Sequence, residues 1–255
     1  LTAGINMNIN RSKVIDLPVD NWAYSSAYYG GGNTPRPRLK IGQSFGALEM
    51  YRALGLDERG DIIYDDVSGN GSIDAVIIDN LTPKFTGGLN LGVSWKNLSL
   101  FGQFSFTYGG KIYNLDEQLL RSTELGYDDV MKNKPDYILD RWTQENQSSR
   151  YPRFVVGAHG AQNETGWNDR PSTLYLFDAS FLKLNKLTLS YNLPQNWIQK
   201  LGMTSCSVYL SGENLFTLKN KKLNVPDPEA ALTSGIAQKG VPSPRSFMIG
   251  LDLTF

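Results

Sequence analysis

Residues 85–108 read FTGGLNLGVSW, then KN, then LSLFGQFSFTY. In the first run Phe85, Gly87, Leu89, Leu91, Val93 and Trp95 share one side of a period of two. Thr86, Gly88, Asn90, Gly92 and Ser94 share the other. In the second run Leu98, Leu100, Gly102, Phe104, Phe106 and Tyr108 stand against Ser99, Phe101, Gln103, Ser105 and Thr107. Alternation at period two marks a strand with two unlike faces. Only Lys96 and Asn97 separate the runs, so the stretch predicts a β-hairpin closed by a two-residue turn.

The same alternation recurs outward from this hairpin. At the end of the chain Phe247, Ile249, Leu251, Leu253 and Phe255 share a face. At its start Leu1, Ala3, Ile5, Met7 and Ile9 oppose Thr2, Gly4, Asn6, Asn8 and Asn10. Leu187, Leu189 and Tyr191 continue the pattern, as do Cys206, Val208 and Leu210. Six strands are predicted, over residues 1–15, 85–96, 97–109, 174–192, 204–218 and 245–255. The connections at about 16–84, 110–173 and 219–244 are long, and those between them are short. All the long connections therefore fall at one edge of the sheet, the asymmetry of a bacterial outer-membrane barrel.

The faces point the same way. A soluble half-buried strand carries charge on its wet side. Here the polar sides are Ser, Thr, Asn, Gln and Gly, with little charge. Trp95, Tyr108 and Tyr191 lie near strand ends, where such a barrel keeps its aromatic girdle. A tilted strand of about 9–11 residues crosses the hydrocarbon layer. Six strands are too few to close, since single-chain membrane barrels begin at about eight. Unpaired edges in lipid cost several kcal/mol per backbone group. The expectation is therefore an all-β chain, an antiparallel transmembrane β-barrel segment, whose remainder lies N-terminal to Leu1.

Composition narrows the function classes. The 25 Lys and Arg balance 25 Asp and Glu, so no basic nucleic-acid surface is expected. Cys206 is the one cysteine, which excludes an intrachain disulfide and a Cys-based zinc site. His159 is the one histidine and sits in a predicted loop, with no Ser or Asp spaced to serve it. The chain is expected not to be an enzyme and to require no cofactor.

Several segments resemble the SusC/RagA-like TonB-dependent outer-membrane transporters of Bacteroidetes. Residues 60–74, GDIIYDDVSGNGSID, resemble the family's GDIxYxDxNGDGxID, and residues 83–88, PKFTGG, follow at its usual interval. WKNL at 95–98, GGKIYN at 109–114, ASFLKLNKLTLSYNLP at 179–194, SGENLFT at 211–217 and PRSFMIGLDLTF at 244–255 match further family segments in order. The resemblance covers nearly the whole chain. It implies the last six strands of a barrel of about 22 strands, with long extracellular loops and with the plug and TonB box outside this sequence. It also implies a SusD-like surface lipoprotein as lid, TonB as the source of force, and glycan oligosaccharides or peptides as cargo. The terminal Phe255 would be the signal read by the barrel-assembly machinery.

Two constellations are candidate sites. Asp66, Ser68, Asn70, Ser72 and Asp74 have the spacing of a calcium loop, with Gly71 at the sharp turn. Ile77 stands where a bidentate Glu is expected, so a Ca²⁺ or Mg²⁺ ion would be held weakly there, and a turn needing no ion fits the same residues. Trp142, Tyr151, Trp167 and Tyr175 lie in the long loops among amides and charges, a mixture suited to stacking on sugar faces. Short helices are expected over 115–121 and 128–143. A soluble β-rich carbohydrate-binding module with a calcium loop is the alternative reading, and in that case the apolar rows must be covered by a second layer.

Overall fold

Leucine, phenylalanine and isoleucine at alternate positions build one continuous wall. The structure, a computed structural model, describes residues 1–19, 21–23, 34–121, 124–125, 133–156, 168–232, 235–238 and 240–255. Six strands, β1 (Thr2–Asn8), β2 (Phe85–Trp95), β3 (Leu98–Tyr108), β4 (Phe181–Asn192), β5 (Ser205–Lys219) and β6 (Ser246–Thr254), form a single sheet in chain order. Every neighbouring pair is antiparallel. The sheet does not close on itself among the described residues, and β1 and β6 are its edges.

Register carries the apolar row across all six strands, while the other face is mostly polar with Phe101, Tyr209 and Met248 among its residues. Ala3 opposes Leu91, Leu91 opposes Gly102, Gly102 opposes Leu187, Leu187 opposes Gly212, and Gly212 opposes Phe247. A one-residue slip would turn every side chain over, and β4 contains such a slip. It passes from Leu184 to Lys186 through a bulge at Asn185, with a matching irregularity in β5 around Asn214, whose φ is 54°. Because both strands adjust at the same level, the apolar row continues through Leu184 and Phe216.

Among the described residues no second layer packs over most of this apolar row, although Leu184 is buried. Ile249 is 79% exposed, and Ile5, Val93, Leu210, Leu251 and Leu253 are exposed as well. The opposite face carries hydroxyls and amides that bond one another: Ser99 Oγ donates to Ser94 Oγ at 2.9 Å, and the Thr188 and Ser211 hydroxyls lie 3.0 Å apart. Trp95 and Tyr191 are exposed toward the short-turn edge, where the Lys96 ammonium sits 4.9 Å from the Trp95 ring centroid.

The packed core lies in the long connections instead. Leu48, Met50 and Leu81 from the first, Tyr113, Leu115 and Tyr175 from the second, and Ile236 from the third form one buried cluster. Tyr113 pairs in parallel with Ile236, and the strand Lys111–Asn114 pairs on its other side with Leu176–Asp178. The three loops thus form one folded cap at a single edge of the wall.

The structure corrects three expected boundaries. The first strand ends at Asn8, because its register reaches Thr86 near the start of β2 and leaves no partner beyond. The fourth begins at Phe181, not at 174: residues 176–178 belong to the loop sheet, and the Asp178 carboxylate accepts from Ser180 N, breaking the line. The expected helix over 128–143 is a short 3₁₀ turn, Asp136–Asp140. Pro135 keeps the residue before it out of the helical region, while 128–132 lie outside the described residues. The helix expected over 115–121 forms as Leu115–Arg121.

Candidate functional site

A cleft of about 1280 Å³ opens between the loops. Residues 53–56 wall it on one side and residues 217–224, the top of β5 and the start of the third connection, on another. The helix Leu115–Arg121, Tyr137 and residues 148–151 complete it.

Glu117 and Arg121 sit one helical turn apart, which places both on one face. Asn114 Oδ1 starts that helix by accepting from Glu117 N at 3.0 Å. Glu117 is buried, and its Oε1 accepts from the Tyr137 hydroxyl at 2.7 Å and from Arg121 Nε. Burial, then the bond to Glu117, pushes the Tyr137 phenol up to about 12, so it remains a donor. The Arg121 guanidinium lies 4.8 Å from the Tyr151 ring centroid and 5.3 Å from that of Tyr137. The two rings stack on each other at 5.5 Å. The one carboxylate among the described lining residues is thereby neutralised. Arg150, Lys221 and Lys222 supply further positive charge to the walls.

Of the four aromatic residues singled out from sequence, the three described ones, Trp142, Tyr151 and Tyr175, do not meet in one site. Tyr175 is wholly buried in the loop core and Tyr151 is 6% exposed, so neither has a ring face free to stack on a ligand. The Tyr175 ring fills the loop core, and the Tyr151 ring is stacked on Tyr137. Tyr151 still touches the cleft at its edge. Trp142 packs on Gly60, where φ is +82° and an added Cβ would run into the indole. Trp167 and His159 lie outside the described residues.

The loop 66–74 closes on its own amides. Asp66 Oδ1 accepts from Gly69 N at 2.7 Å and Asn70 N at 3.2 Å, and Oδ2 from Gly71 N at 2.7 Å. The Gly71 bond is the main cause holding the Asp66 carboxyl below its usual range. Asp74 Oδ2 accepts from Ser68 N at 2.9 Å, and Asn70 Oδ1 from Ser72 N at 2.8 Å. Ile77 is paired in a strand opposite Glu49. A cation at this spacing would compete with those N–H groups for the same oxygens.

Sequence reading missed the struts between loops. Asp61, Arg153 and Asn168 join far-apart segments, and Lys183 on β4 bonds Asp227 in the third connection. None stands in a recognisable spacing. Only the Glu117–Arg121 pair had a local signal, the four-residue interval on a helix.

No protein-family model matches the chain. It is 28% identical to the TonB-dependent receptor P26 of Formosa agariphila over 98% of this chain and 26% of the relative. It is 25% identical to TonB-dependent receptor P3 of the same organism over 100% of this chain and 26% of the relative. To the TonB-dependent receptor SusC of Bacteroides thetaiotaomicron it is 27% identical, over 88% of this chain and 21% of SusC. A chain in the structure of the RagAB peptide transporter superposes with a TM-score of 0.76 at 25% identity, covering 99% of this chain and 27% of that one. The chain thus spans about a quarter of the length of the relatives it matches. The chain is an open wall with one bare apolar face, and along nearly all its length it is similar to a segment of TonB-dependent receptors, SusC among them, and of a chain of the RagAB peptide transporter.

Proposed function

We propose that the whole protein containing this segment is an outer-membrane importer of oligomeric nutrients, glycan oligosaccharides or peptides. In this reading TonB drives it through an N-terminal plug, and a SusD-like surface lipoprotein closes over its loops. The observation that carries the reading is the uncovered apolar row running across all six strands, from Ile5 to Ile249. Water would be a poor solvent for such a face, whereas acyl chains accept it. The polar face then lines a hydrated lumen beside the plug, and the loop cap meets cargo and lid outside the cell.

The test is uptake in intact cells carrying the full-length receptor and its lid, with and without functional TonB. Labelled maltohexaose and a labelled mixture of short peptides serve as probes. TonB-dependent entry of at least one of them is expected. Recovery of the receptor as a monodisperse soluble protein in plain buffer would instead favour the carbohydrate-binding module.

A further inference from the structure

We propose that the cleft above β5 binds an extended peptide rich in acidic side chains and holds it by its main chain. The proposal rests on the importer reading and narrows its cargo to one chemical class.

The first support is how two strands enter the cleft. A strand turned face-on to a cavity contributes every second residue, because successive side chains point opposite ways. Here Ala53, Leu54, Gly55 and Leu56 all line the cleft, and so do Thr217, Leu218 and Lys219. Runs of consecutive residues bring backbone as well as side chains of both strands to the cleft. Among the described residues the strand Ala53–Leu56 has one strand partner, Ile62–Tyr64, although Ala53 N also bonds Thr173 Oγ1. On β5, pairing with β6 stops at Glu213 opposite Ser246, while β4 accompanies β5 to Lys219. Among the described residues, no strand pairs with 214–219 on the β6 side. An open edge inside a cleft offers N–H and C=O groups at the repeat of another strand. A peptide of about 3.3 Å per residue matches that repeat, and a chain of sugar rings does not.

The second support is charge. Arg150, Lys221 and Lys222 line the same cleft, and no described residue forms an ion pair with any of them. The acid that shares the lining, Glu117, is already held by Arg121. Among the described residues these three cations have no carboxylate partner, and carboxylates on a ligand would pair with them.

The experiment uses the full-length receptor with its lid, purified in detergent, and fluorescence anisotropy of a labelled Asp/Glu-rich decapeptide. Its comparators are the same decapeptide with alternate backbone nitrogens methylated, a Lys-rich decapeptide, oligogalacturonate and maltohexaose. The acidic peptide is expected to bind most tightly and to weaken as salt rises. Backbone methylation should weaken it about tenfold, as should the combined change Arg150→Gln, Lys221→Gln, Lys222→Gln. Unchanged heat-modifiable migration of that variant in gels shows that its barrel still forms. Oligogalacturonate binding as tightly as the acidic peptide, or indifference to backbone methylation, overturns the proposal. A receptor that imports maltohexaose through TonB yet ignores the acidic peptide also overturns it, and leaves the importer reading standing. Absence of any TonB-dependent uptake sinks both.

Discussion

Arg153 grips Asp61 at two points, Nε to Oδ1 at 2.8 Å and Nη2 to Oδ2 at 2.9 Å. Asp61 is only 1% exposed, and Asn168 Nδ2 adds a third bond at 2.9 Å. Asn168 Oδ1 in turn accepts from Ile62 N at 2.8 Å, and Arg153 N donates to Gly60 O at 2.9 Å. The first and second long connections are therefore clamped together beside the packing of Trp142 on Gly60. The two partners are not equivalent, because Arg153 is partly exposed and Asp61 is not.

Replacing Arg153 with Met strands a buried carboxylate and should cost about 3–5 kcal/mol of cap stability. Asp61→Asn keeps the shape and leaves Arg153 able to reach water, so it should cost clearly less. Proteinase K digestion of the full-length receptor at rising temperature reads this out. Equal losses of protection in the two variants would contradict the asymmetry.

Acid should loosen the cap through these same carboxylates. Burial alone would raise the Asp61 carboxyl, but the bonds from Arg153 and Asn168 outweigh it and hold it below its usual value. At Asp227 burial again pushes up, and the bonds from Lys183 and Ser243 prevail. A carboxyl depressed in the folded state adds stability that is fully present above its unfolded value of about 3.9. That stability is lost as pH falls through the folded value. Protease protection of the loops should be level down to about pH 5 and fall below about pH 4. The fall should be shallower in the combined Asp61→Asn, Asp227→Asn variant.

Lys183 ties the wall to the third connection. It is 5% exposed, and its ammonium donates to Asp227 Oδ2 at 2.8 Å and to Glu229 Oε2 at 3.0 Å. Asp227 also caps the short helix Pro228–Ala231 through Glu229 N. Lys183→Met should leave Asp227 buried without its cation, at a cost of about 3–5 kcal/mol, and should expose the bonds after Lys221 and Lys222 to trypsin. Adding Asp227→Leu should recover part of the loss, because an apolar pair in place of a buried ion pair is often neutral. Cleavage rates that merely add in the double variant would show that the two side chains are uncoupled.

The wall was legible in sequence because its physics is local. Period two, one tight turn at Lys96-Asn97 and an apolar side without interruption are properties of neighbouring residues, and they located all six strands. The boundary errors arose where a long-range partner decides: the first strand stops where β2 runs out, and residues 176–178 leave the wall for Lys111–Asn114. The loop cap was not legible, since Arg153 and Asp61 lie 92 positions apart and no spacing announces them. Aromatic residues in the loops looked like ligand platforms, and Tyr175 proved to be core. A composition rich in rings does not tell which rings are needed to fill space.

The loop 66–74 should be held by its own amides. Asp66→Ala removes the acceptor for the Gly69, Asn70 and Gly71 N–H groups and should open the loop to proteolysis. Chelation of divalent ions should change nothing in the unsubstituted receptor. A calcium-dependent rise in protection at micromolar ion would mean that the carboxylates turn to a metal instead.

Leu189 and Ser190 give the sharpest test of which side of the wall meets lipid. They are neighbours on β4, yet Leu189 shares the apolar row with Leu100 and Leu210, while Ser190 lies opposite Ser99 and Tyr209 on the polar face. An arginine placed near the middle of a lipid-facing row costs about 2–4 kcal/mol, and one facing a hydrated lumen costs little. Leu189→Arg should therefore lower the amount of receptor assembled in the outer membrane and shift its urea midpoint downward. Ser190→Arg should assemble at nearly the parental level. In a soluble sandwich with its core under the apolar row, Leu189→Arg would abolish folding altogether, and neither variant would need detergent or membrane to be assayed. Tolerance of arginine at position 189 together with failure at 190 would reverse the assignment of the two faces.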